Sequence, residues 1–445
     1  MLTSRVASAA LRGIDPSSLA VFRILFGGLM VWEAYRYLSS GWVSAFWIEP
    51  AYRFTYRGFA WVPVPPDPVL YAGMGAVGVL GLLIALGVAT RVSAGLLAFV
   101  FAYQFLLEAT LYLNHFWLTI LYAVLLAIVP TDGCWSLRAY RRGEFTSVPA
   151  WFLWVLRTQM GIVYVAAGFA KLQSDWLLGW PMRQWIPGSL SVPGLERFAD
   201  TVWLAVVMSW GGLLFDLFIV PLLLWRRTRW FGVGFAIAFH ALNRDMFGIG
   251  IFPYLGMAAT LLFLDADWPR RLVVKLRVAA SWPSKVTSAG SHPGVERAAS
   301  RPVRIILVAW IVVMLILPLR PFIYPGEAMW TEEGIRLSWH MLLRSKVGDV
   351  HFVVERPRQP PERIDPRDHL TSRQYGKISS HPELIRQHAH HLREERSDDV
   401  RVRAIARVTA RPTGPGTHRP GGRPCRGARS PASGGLDRAL GTPLL

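Results

Sequence analysis

The chain alternates long apolar stretches with short polar connections, and nine of the stretches come close to the roughly 20 mostly apolar residues that a helix needs to cross a bilayer. They run from Ser18 to Tyr37, Pro68 to Ala89, Val92 to Tyr112, His115 to Val129, Ala150 to Leu172, Val202 to Trp225, Trp230 to Leu242, Phe247 to Leu264 and Val303 to Leu317. The fourth and seventh are short. After Leu317 the pattern changes: Gly326 to Arg356 is mixed and contains DVHFVVE, an alternating run that reads as a strand, and Asp368 to Glu395 turns helical toward its end. The expected fold is an all-α polytopic membrane protein of about nine spans with a small, incomplete, mainly β extramembrane C-terminal domain. The expected division is 1–320 for the transmembrane part, 321–400 for an outer-face domain and 401–445 for a disordered tail rich in Arg, Pro and Gly.

Composition agrees with the pattern. Of 445 residues, 52% are hydrophobic and 17% charged, too apolar for a soluble protein of this length. The 20 Trp and 23 Phe, many beside apolar runs, fit aromatic belts at membrane interfaces. The N-terminus, MLTSRVASAALRGIDPSSLA, is too polar for a signal peptide, so the first apolar run is expected to stay as a span. The two cysteines, Cys134 and Cys425, make no metal-ligand or redox spacing.

The net charge of +19 matters for where it sits. Threading nine spans with the N-terminus inside puts 17 Lys and Arg on the inner face and seven on the outer face before the last span ends. That bias favours a cytoplasmic N-terminus and an outer C-terminus. The basic loops are explained by topology and call for no nucleic acid. Threading also brings Asn114, His115, Lys171, His240 and Asn243 to the outer ends of their spans.

Ionisable residues within spans are costly and so are candidates for function: Arg23, Glu33, Glu108, Arg157, Lys171, Asp216 and His240. Arg23, Glu33, Glu108 and Asp216 read first as bundle staples. Lys171 differs, because in MGIVYVAAGFAKL burial disfavours the charged form and suits a neutral amine acting as a general base. The competing reading is a lysine at a helix C-terminus with its head among lipid headgroups. Asn114 next to His115 can fix an imidazole tautomer, a weak signal alone. The cluster His381, His388, His390 and His391 lacks carboxylates at ligand spacing, and no metal is expected.

Three ordered blocks then carry a resemblance. They are LRTQMGIVYVAAGFAKLQSDWLLGWPM (156–182), YLNHFWL (112–118), and 215–272, which contains FHALN and FGIGIFPY and closes on WPR. They resemble the membrane core of the vitamin K-dependent γ-carboxylase family, and weaker similarity extends the match from Ser18 to Arg393. The resemblance implies that Lys171 deprotonates reduced vitamin K (a hydroquinone or menaquinol-like quinol), which reacts with dioxygen and ends as the epoxide. The strong base so formed takes a γ-proton from a peptide Glu, and the carbanion captures carbon dioxide. On the same resemblance, His115 with Asn114 assists carboxylation, Arg157 and Tyr164 line the quinone pocket, and His240 and Asn243 contribute to it. The implied partners are the bilayer, the quinol and a Glu-containing peptide on the outer face. Two alternatives stay open: quinol epoxidation without peptide carboxylation, and a non-enzymatic transporter or scaffold. From DDVRVRAIARVTARP onward the chain departs from the family, so a truncation or frame shift is expected near Arg411.

Overall fold

The computed structural model describes residues 10–143, 145–276, 286–287, 300–343, 345–396 and 400–409. Each of the nine apolar stretches holds a helix: α1 (Ser17–Ser39), α2 (Asp67–Leu86), α3 (Thr90–Leu106), α4 (Asn114–Ile128), α5 (Ala150–Ala170), α7 (Val202–Leu224), α8 (Arg229–Phe247), α9 (Phe252–Thr260) and α10 (Arg301–Ile316), with α6 (Trp180–Ser189) between α5 and α7. Helix is what apolar sequence in a bilayer must form, since each backbone N–H and C=O is then satisfied within its own segment. Five are long and apolar enough to cross a membrane: α1, α2, α5, α7, and α10 with the turn that extends it to Ile323. The helices Thr90–Leu106, Asn114–Ile128 and Phe252–Phe263 are apolar but shorter, and α8 carries charge at both ends, Arg229 at one and Arg244 with Asp245 at the other. The chain is an integral membrane protein in which five of the nine expected spans meet the span criterion by themselves.

The chain divides into two compact units. The first comprises 1–45, 64–105 and 113–317. Within it α1 packs along α2, and α7 packs on α5, α6 and α8. Arg23, fully buried on α1, donates to the carbonyls of Ile84 (3.3 Å) and Trp135 (2.5 Å), and so ties the end of α2 to the loop after α4, the staple expected of it.

The second unit comprises 46–63, 106–112 and 318–445, so two segments from the first quarter of the chain belong with the C-terminal part. Its sheet has β1 (Val347–Glu355) at the centre, flanked antiparallel by β2 (Glu362–Ile364) and β3 (Arg401–Thr409). Val350, Phe352 and Val354 alternate into the core, as DVHFVVE anticipates. Helices α11 (Ser372–Ile378) and α12 (Pro382–Glu394) belong to the same unit; α11 starts with a capping box between Thr371 and Gln374.

Two expectations are corrected here. The third apolar stretch is helical only to Leu106, because Glu108 turns away to accept from Thr110 N–H (3.0 Å), Thr110 Oγ1 (2.7 Å), Phe54 N–H (3.3 Å) and Gln374 Nε2 (3.2 Å), all within the second unit. The tail expected to be disordered from Arg401 begins as strand β3, paired with β1 from Glu355↔Arg401 to Val347↔Thr409. The expected break near Arg411 lies outside the described residues.

Candidate active site

Helix α5 carries Arg157, Tyr164 and Lys171 at intervals of seven residues, close to two full turns, so the three lie along one stripe of the helix. The same arithmetic puts Tyr164 roughly 10 Å and Arg157 roughly 20 Å along the axis from Lys171.

Lys171 closes α5, its backbone N–H reaching the Gly168 and Phe169 carbonyls. Its side chain is 8% exposed, and Nζ lies 2.5 Å from Asp216 Oδ2 on α7, itself 7% exposed. The lysine also reaches the Ala167 carbonyl (3.4 Å) and sits 5.2 Å from the Trp176 ring centroid. Trp176 is held in turn by its indole N–H donating to the Ser209 carbonyl at 2.7 Å. Sequence reasoning placed a lone desolvated amine here; the structure gives the amine a carboxylate partner. Asp216 was grouped with the staples because a separation of 45 residues carries no register that would pair it with Lys171.

The residue before it, Phe215, joins this pair to a second polar contact. Phe215 lies edge-on to Tyr164 (5.5 Å between centroids) and to His240 (6.0 Å) and stacks on Phe239 (3.7 Å). The Tyr164 hydroxyl and His240 Nε2 are 2.8 Å apart. Both residues are buried, and His240 Nδ1 has no hydrogen-bond partner among the described residues. Gly256 on α9 makes room for the ring: a Cβ there would lie 2.4 Å from His240 Cε1, below any contact distance. Asn243 is half-buried one turn further along α8.

His115, 7% exposed near the start of α4, is reached through Phe252, whose ring lies 6.1 Å from the His115 ring and 5.8 Å from that of His240. Asn114, half-buried, is the first residue of α4. Thus a relay of contacts within the first unit runs from Lys171 and Asp216 through Phe215 to Tyr164 and His240, and through Phe252 to His115.

Arg157 does not join them. Its guanidinium donates to the carbonyls of Leu262 (2.7 Å) and Leu264 (2.8 Å), capping the helical end that follows α9, and lies over Trp154. These bonds satisfy carbonyls that a helix C-terminus otherwise leaves unpaired.

Comparison with known families matches residues 11–268 to the HTTM domain and residues 299–410 to the vitamin K-dependent gamma-carboxylase, lumenal domain. The chain belongs to the vitamin K-dependent gamma-carboxylase family. No solved structure matches it. The two family domains fall on the two structural units in the main: the first covers the helical stretch from α1 to the WPR turn, and the second runs from just before α10 through β3. In this member of the gamma-carboxylase family the lumenal-domain match therefore ends one residue beyond the last described strand.

The aromatic region fits a quinol. Phe215, Phe239 and Phe252 offer flat apolar surfaces, the Tyr164 hydroxyl meets His240 Nε2, and His240 Nδ1, on the other side of the ring, is a buried polar atom without a partner among the described residues. Flat apolar walls with a few convergent polar groups are what a planar ring bearing hydroxyls requires.

Proposed function

We propose that this chain performs vitamin K hydroquinone-dependent γ-carboxylation of protein glutamyl residues, with Lys171 as the base toward the quinol. The observation that carries this reading is the buried Lys171–Asp216 pair beside the Tyr164–His240 contact, in a chain of the gamma-carboxylase family.

The quinol supplies, together with dioxygen, the strong base that removal of a carbon-bound γ-proton requires. The residues do the rest. Asp216, 2.5 Å from Nζ, can hold the lysine's proton, and the amine is then ready to accept one from a quinol hydroxyl. Tyr164 and His240 orient the ring by hydrogen bonds at its other polar end. Trp176 and the burial of the pair keep water from the amine, which preserves the strength of every charge interaction there. His115, with Asn114, serves the carboxylation step next to Phe252, where carbon dioxide is captured. The quinol enters between helices from the bilayer. The bias of 17 inner to seven outer basic residues supports a cytoplasmic N-terminus, with the site and the C-terminal unit facing outward, the side from which the peptide arrives.

The test is a reconstituted assay. Purified protein in lipid receives reduced vitamin K, dioxygen, labelled bicarbonate and a Glu-rich peptide, and both epoxide and acid-stable label are measured. Wild type is expected to give both, and Lys171→Ala neither while staying folded in the membrane. Epoxide without label would replace this reading with quinol epoxidation alone. If correctly folded wild type makes neither product, the enzymatic reading fails.

A further inference from the structure

Three helix ends meet on the His115 side of the first unit: the last turn of α1, the first turn of α4, and the link from α8 to α9. The link contains Gly250 at φ +59°, a left-handed conformation that glycine adopts without a steric cost. The space above its Cα is framed by nitrogen. A Cβ there would lie 3.4 Å from Arg36 Nη1, 3.5 Å from His115 Nε2 and 3.9 Å from Arg36 Nη2. Arg36 is held in place from two other directions, by Glu33 Oε2 at 2.6 Å from Nη1 and by the Trp42 ring, whose centroid is 4.9 Å from its guanidinium carbon. Glu33 is 2% exposed and Arg36 22% exposed, so the pair is anchored at its acidic end and open at its basic end.

We propose that Arg36 and His115, both bordering the space above Gly250, form a binding site for a carboxylate-type anion. A guanidinium presents five donors in a planar fork, and Glu33 engages one nitrogen, leaving donors that match the two oxygens of an O–C–O group. The imidazole Nε2, 3.5 Å from the same point, supplies a third contact. The N-terminal turn of α4, a 15-residue helix, adds positive potential on the same side. Two sources share this chemistry: the side chain of a glutamyl residue in a peptide, and dissolved bicarbonate. Assigning the site to the acceptor glutamate rests on the carboxylase reading above; the anion site itself does not.

The experiment measures binding without quinol or dioxygen, on the full chain reconstituted in lipid. The probes are a short Glu-containing peptide, the same peptide with Gln, and carbon-13 bicarbonate followed by saturation transfer. The Glu peptide is expected to bind wild type at least about tenfold tighter than the Gln peptide, the size of effect for a charge-assisted contact. Arg36→Gln should erase that preference, and Arg36→Lys should keep part of it, since it retains the charge without the fork. Equal peptide binding, combined with a bicarbonate signal that Arg36→Gln abolishes, would assign the site to the free ion. If neither the peptide preference nor the bicarbonate signal differs between wild type and Arg36→Gln, the site is not there. Should Arg36→Gln aggregate, Gly250→Ala fills the space while leaving both nitrogens' owners in place, and undiminished discrimination in that variant overturns the inference. A protein that binds the Glu peptide selectively yet makes no epoxide would refute the catalytic reading and leave this site standing.

Discussion

Two carboxylates, one in each unit, are almost wholly removed from solvent and are satisfied in opposite ways. Asp216 in the first unit meets a cation, Lys171, at 2.5 Å. Glu108 in the second unit meets no cation within salt-bridge distance among the described residues; it accepts four hydrogen bonds from neutral groups of Thr110, Phe54 and Gln374. Burial pushes the Glu108 carboxyl above the usual carboxylate range, and the bonds from Thr110, Phe54 and Gln374 pull against it. A carboxylate fixed by amides and an alcohol is scaffolding, since none of these donors gives up its proton near neutral pH. A carboxylate against an amine is a pair whose proton can move, at the cost of two buried charges that stabilise little beyond what desolvation takes. The comparison separates chemistry from construction more sharply than burial does.

The largest effect expected from breaking it comes at Asp216. Asp216→Ala leaves a buried ammonium unpaired and should cost the first unit about 3–5 kcal/mol, with loss of epoxide formation. Replacing both partners, as Lys171→Met with Asp216→Leu, should return most of the stability and none of the turnover, read by thermal unfolding and by the epoxide assay. Recovery of turnover in the double variant would end the assignment of a base here.

Next is Gly256→Ala, which drives a methyl into the His240 ring and should cost about 1–3 kcal/mol. Epoxide formation should fall further than unfolding accounts for, because the Tyr164–His240 contact is lost with it.

The second unit has its own sensitivity, to acid. His388 lies among Tyr52, Phe54 and Phe352 with neither ring nitrogen bonded among the described residues, and burial, helped by His391, His369 and Arg396, lowers it from 6.5 to about 4. Since the folded value lies below the unfolded one, the unfolded chain takes up the proton first as pH falls. Stability present above pH ~6.5 is therefore lost progressively down to about pH 4, on the order of 3 kcal/mol in total. Hydrogen exchange of the α12 amides should accelerate across that window in wild type and much less in His388→Phe.

The smallest effect is expected at Glu108. Glu108→Gln keeps one acceptor oxygen and turns the other into a donor facing donors, costing the second unit about 1 kcal/mol, with no change in epoxide formed per folded molecule. A loss of turnover there would undo the contrast with Asp216.

Much of this was legible in the chain itself. All nine apolar stretches are helices, because hydrocarbon leaves apolar backbone no other economical choice, and DVHFVVE is a strand with alternate residues buried. Lys171 and His240 stood out because charge and imidazole within apolar runs are expensive. What stayed hidden depends on distance in sequence. Nothing local marks Asp216 rather than Glu33 as the partner of Lys171, or Arg36 as the neighbour of His115, 79 positions away. Arg157 shows the converse: its place on the Lys171 stripe is readable from spacing, but its engagement with the Leu262 and Leu264 carbonyls is not.

Helix α5 is a ruler with marks at Arg157, Tyr164 and Lys171. A substitution between the marks leaves their spacing intact, but removing or adding a single residue turns everything beyond it by about 100° and shifts it by about 1.5 Å. An indel between Tyr164 and Lys171 would swing the amine off Asp216 while Arg157 kept its hold on the far end. In descendants of this chain, that segment is therefore barred from changing its length.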